Sequence, residues 1–391
     1  MAKKVILAYS GGLDTSVAIR WLKEKGFNVV CYLADVGQEE DFTVVKKRAI
    51  KAGAKKVIVG DLKKEFVEDF IWPSLKANAV YESKYFLATA LSRPLIAKQL
   101  VETARKEGAK YVAHGCTGKG NDQVRFEVTI GALGGALKVI APVREWDLAT
   151  REAEIRYAKV HGIPLDVTKK KPYSIDRNIW GVSIESGKLE DPWYEPKEDA
   201  YQMTKPVGKS SNKPCYLKIE FKGGIPKKIN EKILDAVTLI KKLNEIGARY
   251  SIGRSDLIED RLVGIKSREV YEAPAANILV EAHKALEGLV LDRETLYFKE
   301  IVGLKYSRLI YDGLWYTPLK QAIDKFVNYT QRFVDGTVNV KLLKGGVWVV
   351  GRKSPRSLYK RELATYGKGD KFDQSLAKGF IELFGLPYRK G

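Results

Sequence analysis

The 391-residue chain is predicted to be α/β: a doubly wound parallel-sheet domain, then an α+β domain, then a C-terminal helix. Three observations lead there. Over the first 160 or so residues, apolar runs of strand length alternate with segments of helical period. A glycine-bearing turn joins the first run to the first helix. Beyond a basic, proline-ended stretch at 169–172, the alternation gives way to period-two runs mixed with helices.

Taken in order, Val5, Ile6, Leu7 and Ala8 make a short buried strand, and Val17, Ala18, Trp21 and Leu22 mark one face of a helix. A second strand spans 28–34 and ends in a polar turn at 35–38; a charged helix covers about 41–52. A third strand at 56–60 is followed by a helix at 62–72 and by a strongly periodic helix at 91–106. Strands at 111–115 and 139–143 and a helix at 151–161 complete the set. Open parallel sheets bind ligands beyond the carboxyl ends of their strands. Three polar turns fall there, at 8–16, 34–38 and 115–125.

The second region opens with a hydroxyl-rich stretch at 173–185 and an irregular, proline-bearing one at 193–214. Period-two alternation predicts a strand at 216–221, turned by Gly223 and Gly224. Helices are expected at 230–246, ended by Gly247, from Pro274 to about 291, and from 319. Runs at 338–343 and 347–351 read as a hairpin. The amphipathic stretch 375–386 is too short to be a stable helix alone, so it packs on its own domain or on a neighbouring subunit.

Composition narrows the function classes. A hydrophobic content of 45% and a charged content of 30% fit a globular protein. No stretch approaches the ~18 unbroken apolar residues of a membrane span, and Met1 to Lys4 run straight into a strand, so no signal peptide is expected. Cys31, Cys116 and Cys215 are widely separated, which suits a reducing cytoplasm and leaves no zinc or disulfide framework. His114, His161 and His283 are scattered, so no metal site is expected. The net charge of +20 raises nucleic-acid binding. The basic residues are dispersed, however, which favours anionic small substrates or a heat-adapted surface, and no nucleic-acid or membrane partner is expected.

Two turns carry chemistry. In A-Y-S-G-G-L-D-T-S at 8–16, Gly11 and Gly12 admit a ligand close to the backbone. Ser10, Thr15 and Ser16 add hydroxyls, and the helix N-terminus adds unpaired N–H groups. That combination cradles a phosphate, without the Gly-Lys-Ser/Thr ending of a Walker A loop. In G-C-T-G-K-G-N-D-Q-V-R-F-E at 115–127, Thr117, Lys119, Asn121, Asp122 and Arg125 supply a hydroxyl, two cations, an amide and a carboxylate. That density suits a ligand bearing both ammonium and carboxylate groups, such as an amino acid. The ordinary alternative is a solvated glycine-rich loop.

The pattern S-G-G-x-D-[ST]-S resembles the pyrophosphate loop of the N-type ATP pyrophosphatases. Together with the 115–127 loop it is similar to that of the argininosuccinate synthases. Further matching motifs are Y-S-I-D-R-N-I-W-G-V-S-I-E at 173–185, L-E-D-P-W at 189–193, G-R-S-D-L-I-E-D-R-L-V-G-I-K-S-R-E-V-Y-E at 253–272, D-G-L-W-Y-T-P-L at 312–319 and V-G-R-K-S-P at 350–355. The resemblance implies a nucleotide-binding domain at 1–168, a synthetase domain at 169–365 and an oligomerisation helix at 366–391 that joins a homotetramer. It implies a cytoplasmic ligase making argininosuccinate, AMP and pyrophosphate from citrulline, aspartate and ATP through a citrullyl adenylate, with Mg2+ accompanying ATP.

Carried over by position, the resemblance places ATP on Ala8, Tyr9, Ser10, Gly11, Gly12, Leu13, Asp14, Thr15, Ser16, Ala34 and Gly115. Thr117, Asn121 and Asp122 match aspartate positions. Tyr85, Asn121, Arg125, Ser174, Ser183, Glu259 and Tyr271 match citrulline positions. Glu259 suits the citrulline ammonium, and Arg125 suits a carboxylate bidentately. Ala90 departs from the family's frequent serine and lacks its hydrogen bond. No general base is assignable. Three other readings are a tRNA thiolase of the same loop class, an ammonia-fed synthetase and a non-catalytic nucleotide binder. The first lacks its paired cysteines here and the second its glutaminase domain. The third predicts ATP binding without citrulline-dependent pyrophosphate release.

Overall fold

The structure, a computed structural model, describes residues 3–148, 150–164 and 173–389. The domain boundary expected at 168/169 lies outside the described residues. Strands β1 (Lys3–Ala8), β2 (Phe27–Asp35), β3 (Lys56–Asp61), β4 (Tyr111–Ala113) and β5 (Lys138–Ile140) form one parallel sheet in the order β3-β2-β1-β4-β5. Val5, Ile6 and Leu7 of the central strand are fully buried, as a strand covered on both faces requires.

Helices α1 (Leu13–Glu24), α2 (Phe42–Ala52), α3 (Ala88–Glu107), α4 (Asp122–Gly134) and α5 (Arg151–Val160) divide between the two faces. Val17, Ala49 and Ala158, from α1, α2 and α5, pack with Val5 and Leu7 on one side. Leu91, Leu95, Phe126 and Ile130, from α3 and α4, share a core with Ile6 and Val30 on the other. This is the doubly wound arrangement. Strand order reverses between β1 and β4, which opens a crevice at their carboxyl ends.

Three segments of this domain differ from expectation. The helix predicted at 62–72 extends to Lys76 and contains a π turn, Phe66–Ile71, whose Phe66, Val67, Phe70 and Ile71 are all buried. β5 stops at Ile140, because Pro142 cannot continue a ladder and opens a short helix, Pro142–Glu145. The turn at 115–127 ends at Asn121, and Asp122 begins α4, whose Phe126, Thr129 and Ile130 bury one face.

The second region is α+β, as predicted. Strands β6 (Ser174–Arg177), β7 (Val182–Glu185), β11 (Arg254–Asp260) and β12 (Lys266–Glu272) form an antiparallel sheet in the order β11-β12-β7-β6. A second antiparallel sheet joins β8 (Cys215–Lys222), β9 (Ile225–Ile229), β10 (Lys232–Ile233), β13 (Gly336–Leu343) and β14 (Gly346–Lys353), with order β10-β9-β8-β13-β14. The helix expected at 230–246 starts later. The chain first returns as β10, and α6 (Ala236–Arg249) begins where the Asp235 carboxylate accepts the Thr238 N–H at 3.0 Å. Helices α7 (Pro274–Val290), α8 (Arg293–Tyr311) and α9 (Pro318–Gln331) complete the region.

The terminal helix α10 (Leu376–Gly385) forms as predicted. Its Leu376, Phe380, Ile381, Leu383 and Phe384 stay exposed, so it does not fold back on its own domain. No helix among the described residues is long and apolar enough to cross a membrane.

Candidate active site

One cavity of about 1570 Å³ occupies the crevice. All three polar turns beyond the strand ends open into it, through residues 8–16, Ala34 with Gln38, and Gly115 with Thr117. Gly11 has φ +78°, and Gly12, at φ −73°, is the residue from which α1 springs without a side-chain cap. The first amides of α1 thus have no side-chain acceptor and meet the cavity with the positive end of the helix. Hydroxyls brace the turn: Ser10 Oγ lies 3.1 Å from Thr15 Oγ1, and Tyr9 Oη lies 3.0 Å from Ser16 Oγ. Arg48 Nη1 donates to the Gly11 carbonyl at 2.8 Å. Gly115 presses on this turn so closely that a Cβ there would stand 2.7 Å from Thr15 Cγ2. Leu13 and Asp14 line the same end.

The second turn differs in detail from a solvated loop. Thr117 is exposed on the cavity rim. Asn121 donates from Nδ2 to Tyr311 Oη at 2.8 Å, and its Oδ1 accepts the Leu262 N–H at 2.9 Å. Asp122 is not a free loop carboxylate. It sits in the first turn of α4, and its two oxygens accept from Arg125 Nη1 at 2.9 Å and Arg93 Nε at 2.8 Å. Burial alone would raise its pKa, but the charges of Arg93 and Arg125 outweigh that and hold it below the usual carboxylate range. Arg125 is likewise not an open bidentate clamp. Its Nε donates to the Tyr311 carbonyl at 2.8 Å, so one edge is already committed.

The opposite wall is the sheet of β6, β7, β11 and β12. Strand side chains alternate between faces. Val182, Ile184 and Val270 therefore bury in a small apolar core. Ser174, Asp176, Ser183, Glu185, Glu259, Glu269 and Tyr271 all line the cavity. Glu259 is 3% exposed and accepts Tyr271 Oη–H on one oxygen and Tyr311 Oη–H, at 2.6 Å, on the other. Burial raises its pKa, and the two hydroxyls offset part of the rise. Tyr85 stacks on Tyr271 with ring centroids 4.1 Å apart. Its Oη accepts the Thr89 and Ala90 N–H groups at 3.1 and 3.2 Å, and so caps α3 where Leu87, at φ +65°, cannot.

The Ala90 side chain is fully buried and does not line the cavity. Its neighbour Thr89 does, with its hydroxyl 3.0 Å from that of Ser183.

Glu269 lies beside Glu185 on adjacent strands, and a single arginine, Arg261, donates to both at 2.9 and 2.6 Å. Burial, together with the Glu185 charge, pushes the Glu269 carboxyl up to about 10. The folded state therefore holds this proton more tightly than the unfolded chain does. That stabilisation is complete below the ordinary carboxylate pKa of about 4.5 and is lost as pH rises from there towards 10. Glu269→Gln keeps an acceptor for Arg261 and removes the titration. Its melting temperature is expected to exceed that of the unaltered chain by about 2 °C or more at pH 8–9, with the gap closing near pH 4.5. A gap that widens towards acid pH contradicts this.

The structure thus brings every residue matched to a substrate position to one cavity, whereas Lys119 of the 115–127 turn is exposed and does not line it. Sequence reasoning missed Arg93, Asp176, Glu185, Arg261 and Glu269, which also line it. Four of these stand inside the motifs at 173–185 and 253–272. Period-two spacing from Ser174, Ser183, Glu259 and Tyr271 reaches Asp176, Glu185, Arg261 and Glu269 directly.

Sequence comparison adds the deciding observation. Residues 4–164 match the arginosuccinate synthase N-terminal HUP domain, and residues 173–390 match the arginosuccinate synthase C-terminal domain. The chain belongs to the argininosuccinate synthase family. It is 57% identical over 385 residues to the argininosuccinate synthase of Caldanaerobacter subterraneus subsp. tengcongensis, covering 98% of this chain and 94% of that one. It is 56% identical over 390 residues to that of Carboxydothermus hydrogenoformans, covering 100% and 97%. With that of Pelotomaculum thermopropionicum the identity is 55% over 387 residues, covering 99% and 96%. Argininosuccinate synthases are ligases of arginine biosynthesis, and this chain's activity is theirs.

Proposed function

We propose that this cavity joins citrulline to aspartate at the expense of ATP, with the nucleotide at the glycine turn and the amino acids against the polar face of the β6-β7-β11-β12 sheet. One observation carries the reading. A phosphate cradle and a wall of fixed carboxylates and hydroxyls face each other across a single space of about 1570 Å³. A site for one drug-sized ligand usually encloses roughly 300–1,000 Å³. This one has room for a nucleotide and two amino acids together.

ATP rests its phosphates on Ser10, Gly11, Gly12 and the α1 N-terminus, with Ala34 and Gly115 bordering the nucleotide. Citrulline lies along Tyr85, Ser174, Ser183 and Tyr271, its ammonium on Glu259 and its carboxylate on the Arg125 guanidinium, beside the bonds that Nε and Nη1 already make. Its ureido oxygen attacks the α-phosphate and pyrophosphate leaves. Aspartate, held by Thr117, Asn121 and Asp122, then presents its amine to the activated carbon, and AMP departs with the former ureido oxygen. The protein's part is positioning and charge stabilisation.

Mg2+ accompanies ATP. Among the described residues no group of three or more His, Cys, Asp or Glu could hold a metal ion. The phosphates therefore supply most of its oxygen ligands, with Asp14 the one carboxylate of the glycine turn. When bound, the cation neutralises charge on the departing pyrophosphate. The chain works as a cytoplasmic homotetramer in which α10 buries its exposed apolar face on another copy.

The test is pyrophosphate release measured with each amino acid omitted in turn, followed by transfer of 18O from the ureido group of citrulline to AMP. Citrulline-dependent release with label in AMP is expected. Label retained in argininosuccinate, or release indifferent to citrulline, overturns the reading.

A further inference from the structure

Arg93 projects from α3 into the space between the two halves of the cavity. Its Nε donates to Asp122 Oδ2 on α4 at 2.8 Å, and its Nη2 reaches Asp176 on β6. Arg125 closes the other end by donating to Asp122 Oδ1 at 2.9 Å. The result is an alternating chain, Arg125–Asp122–Arg93–Asp176, neutral overall, whose four side chains all line the cavity. It spans three elements: α3, which carries Arg93, α4 on one side of it, and β6 of the opposite wall on the other.

Both oxygens of Asp122 are thus tied to an arginine, which fixes the plane of the carboxylate and leaves its remaining lone pairs for a ligand. Asp176 stands two residues from Ser174 on the same face of β6, so the far end of the chain anchors the wall assigned above to citrulline. A guanidinium has a rigid, planar fork that holds two carboxylates at a set angle, which an ammonium cannot do.

We propose that Arg93 is a positioning residue that aims Asp122 at the aspartate ammonium and sets the distance between the aspartate and citrulline walls. The inference rests on the substrate placement above. It adds that Arg93 acts through Asp122 and Asp176 rather than on a substrate directly.

The experiment is steady-state kinetics of Arg93→Lys, Asp176→Asn, Asp122→Asn and the double variant Arg93→Lys/Asp122→Asn, each substrate varied in turn. Arg93→Lys keeps the charge and loses the fork, so its KM for aspartate is expected to rise about tenfold, with the KM for ATP within about twofold. Asp176→Asn, which leaves the Arg93–Asp122 bond in place, raises the aspartate and citrulline KM by about threefold. The double variant is expected to have an aspartate KM within about threefold of Asp122→Asn alone, because what Arg93 does through Asp122 is already lost and its contact with Asp176 is all that remains to lose. An unchanged aspartate KM in Arg93→Lys, equal rises for all three substrates, or effects that multiply in the double variant would each overturn the proposal. If Arg93→Lys does not fold, Asp176→Asn decides alone: a citrulline and aspartate KM equal to those of the unaltered chain overturns it. Failure of the functional reading itself is separately visible, as pyrophosphate release by the unaltered chain that ignores aspartate and citrulline.

Discussion

Gly12→Val yields a folded chain whose affinity for ATP falls at least about a hundredfold. The two glycines of the turn are not equivalent, and their surroundings say which one isolates ligand binding from folding. Gly11 has φ +78°, and a Cβ there would stand 2.8 Å from Val45 Cγ1, so replacing it strains the backbone and crowds α2. Gly12 has an ordinary negative φ of −73°, and a Cβ there would meet only Ser10 Oγ at 3.3 Å. A valine at 12 therefore fits the fold and grows into the space in front of the α1 amides. Hydrogen bonds to a charged group contribute about 1.5–3 kcal/mol each. Displacing a phosphate from two of them costs about two orders of magnitude or more in affinity. Calorimetric titration with ATP, beside a thermal melt to confirm folding, makes the measurement. Ordinary ATP affinity in a folded Gly12→Val chain would remove the phosphate from this turn.

How far the chain could be read in advance depended on the range of the interactions involved. The five parallel strands and the glycine turn declare themselves in local patterns, since a strand buried on both faces is a continuous apolar run and a phosphate cradle is contiguous in sequence. Helix α4 was hidden by the glycines before it. Yet Phe126, Ile130 and Leu133 repeat at helical spacing, and Asp122 and Arg125 pair one turn apart because they lie on that helix. Helix α8 carried no expectation, although it delivers Tyr311 to both Asn121 and Glu259. The polar wall was half legible. Its serines, Glu259 and Tyr271 were singled out by resemblance, but their companions follow only from strand register. That register puts Ser183 opposite both Asp176 and Tyr271, and Glu185 opposite Ser174. The engagement of Asp122 by two arginines was not legible, because Arg93 lies 29 residues away in the chain.

Glu259→Gln raises the KM for citrulline by about two orders of magnitude and leaves that for ATP nearly unchanged. Glu259 lies on β11, 3% exposed, with its carboxylate turned into the cavity and fixed by two tyrosine hydroxyls, Tyr271 from β12 and Tyr311 from the end of α8. These contacts do two things. They hold the carboxylate in one orientation, and they favour its ionised form against the burial that would otherwise protonate it. Arg125 and Arg261 bring positive charge near it, but Arg125 is committed to Asp122 and the Tyr311 carbonyl, and Arg261 to Glu185 and Glu269. A substrate ammonium is thus the partner proposed for this carboxylate. Glutamine preserves the volume and one acceptor, so the tyrosines keep a partner and the sheet keeps its packing. What goes is the charge, together with a charge-assisted hydrogen bond of about 1.5–3 kcal/mol in a water-poor site, or one to two orders of magnitude in binding. The second tyrosine hydroxyl now faces an amide N–H and must turn, which places the effect at the upper end. Steady-state kinetics with each substrate varied separately reads it. A citrulline KM within threefold of the unaltered chain, or an equal rise for aspartate, would take the citrulline ammonium away from Glu259.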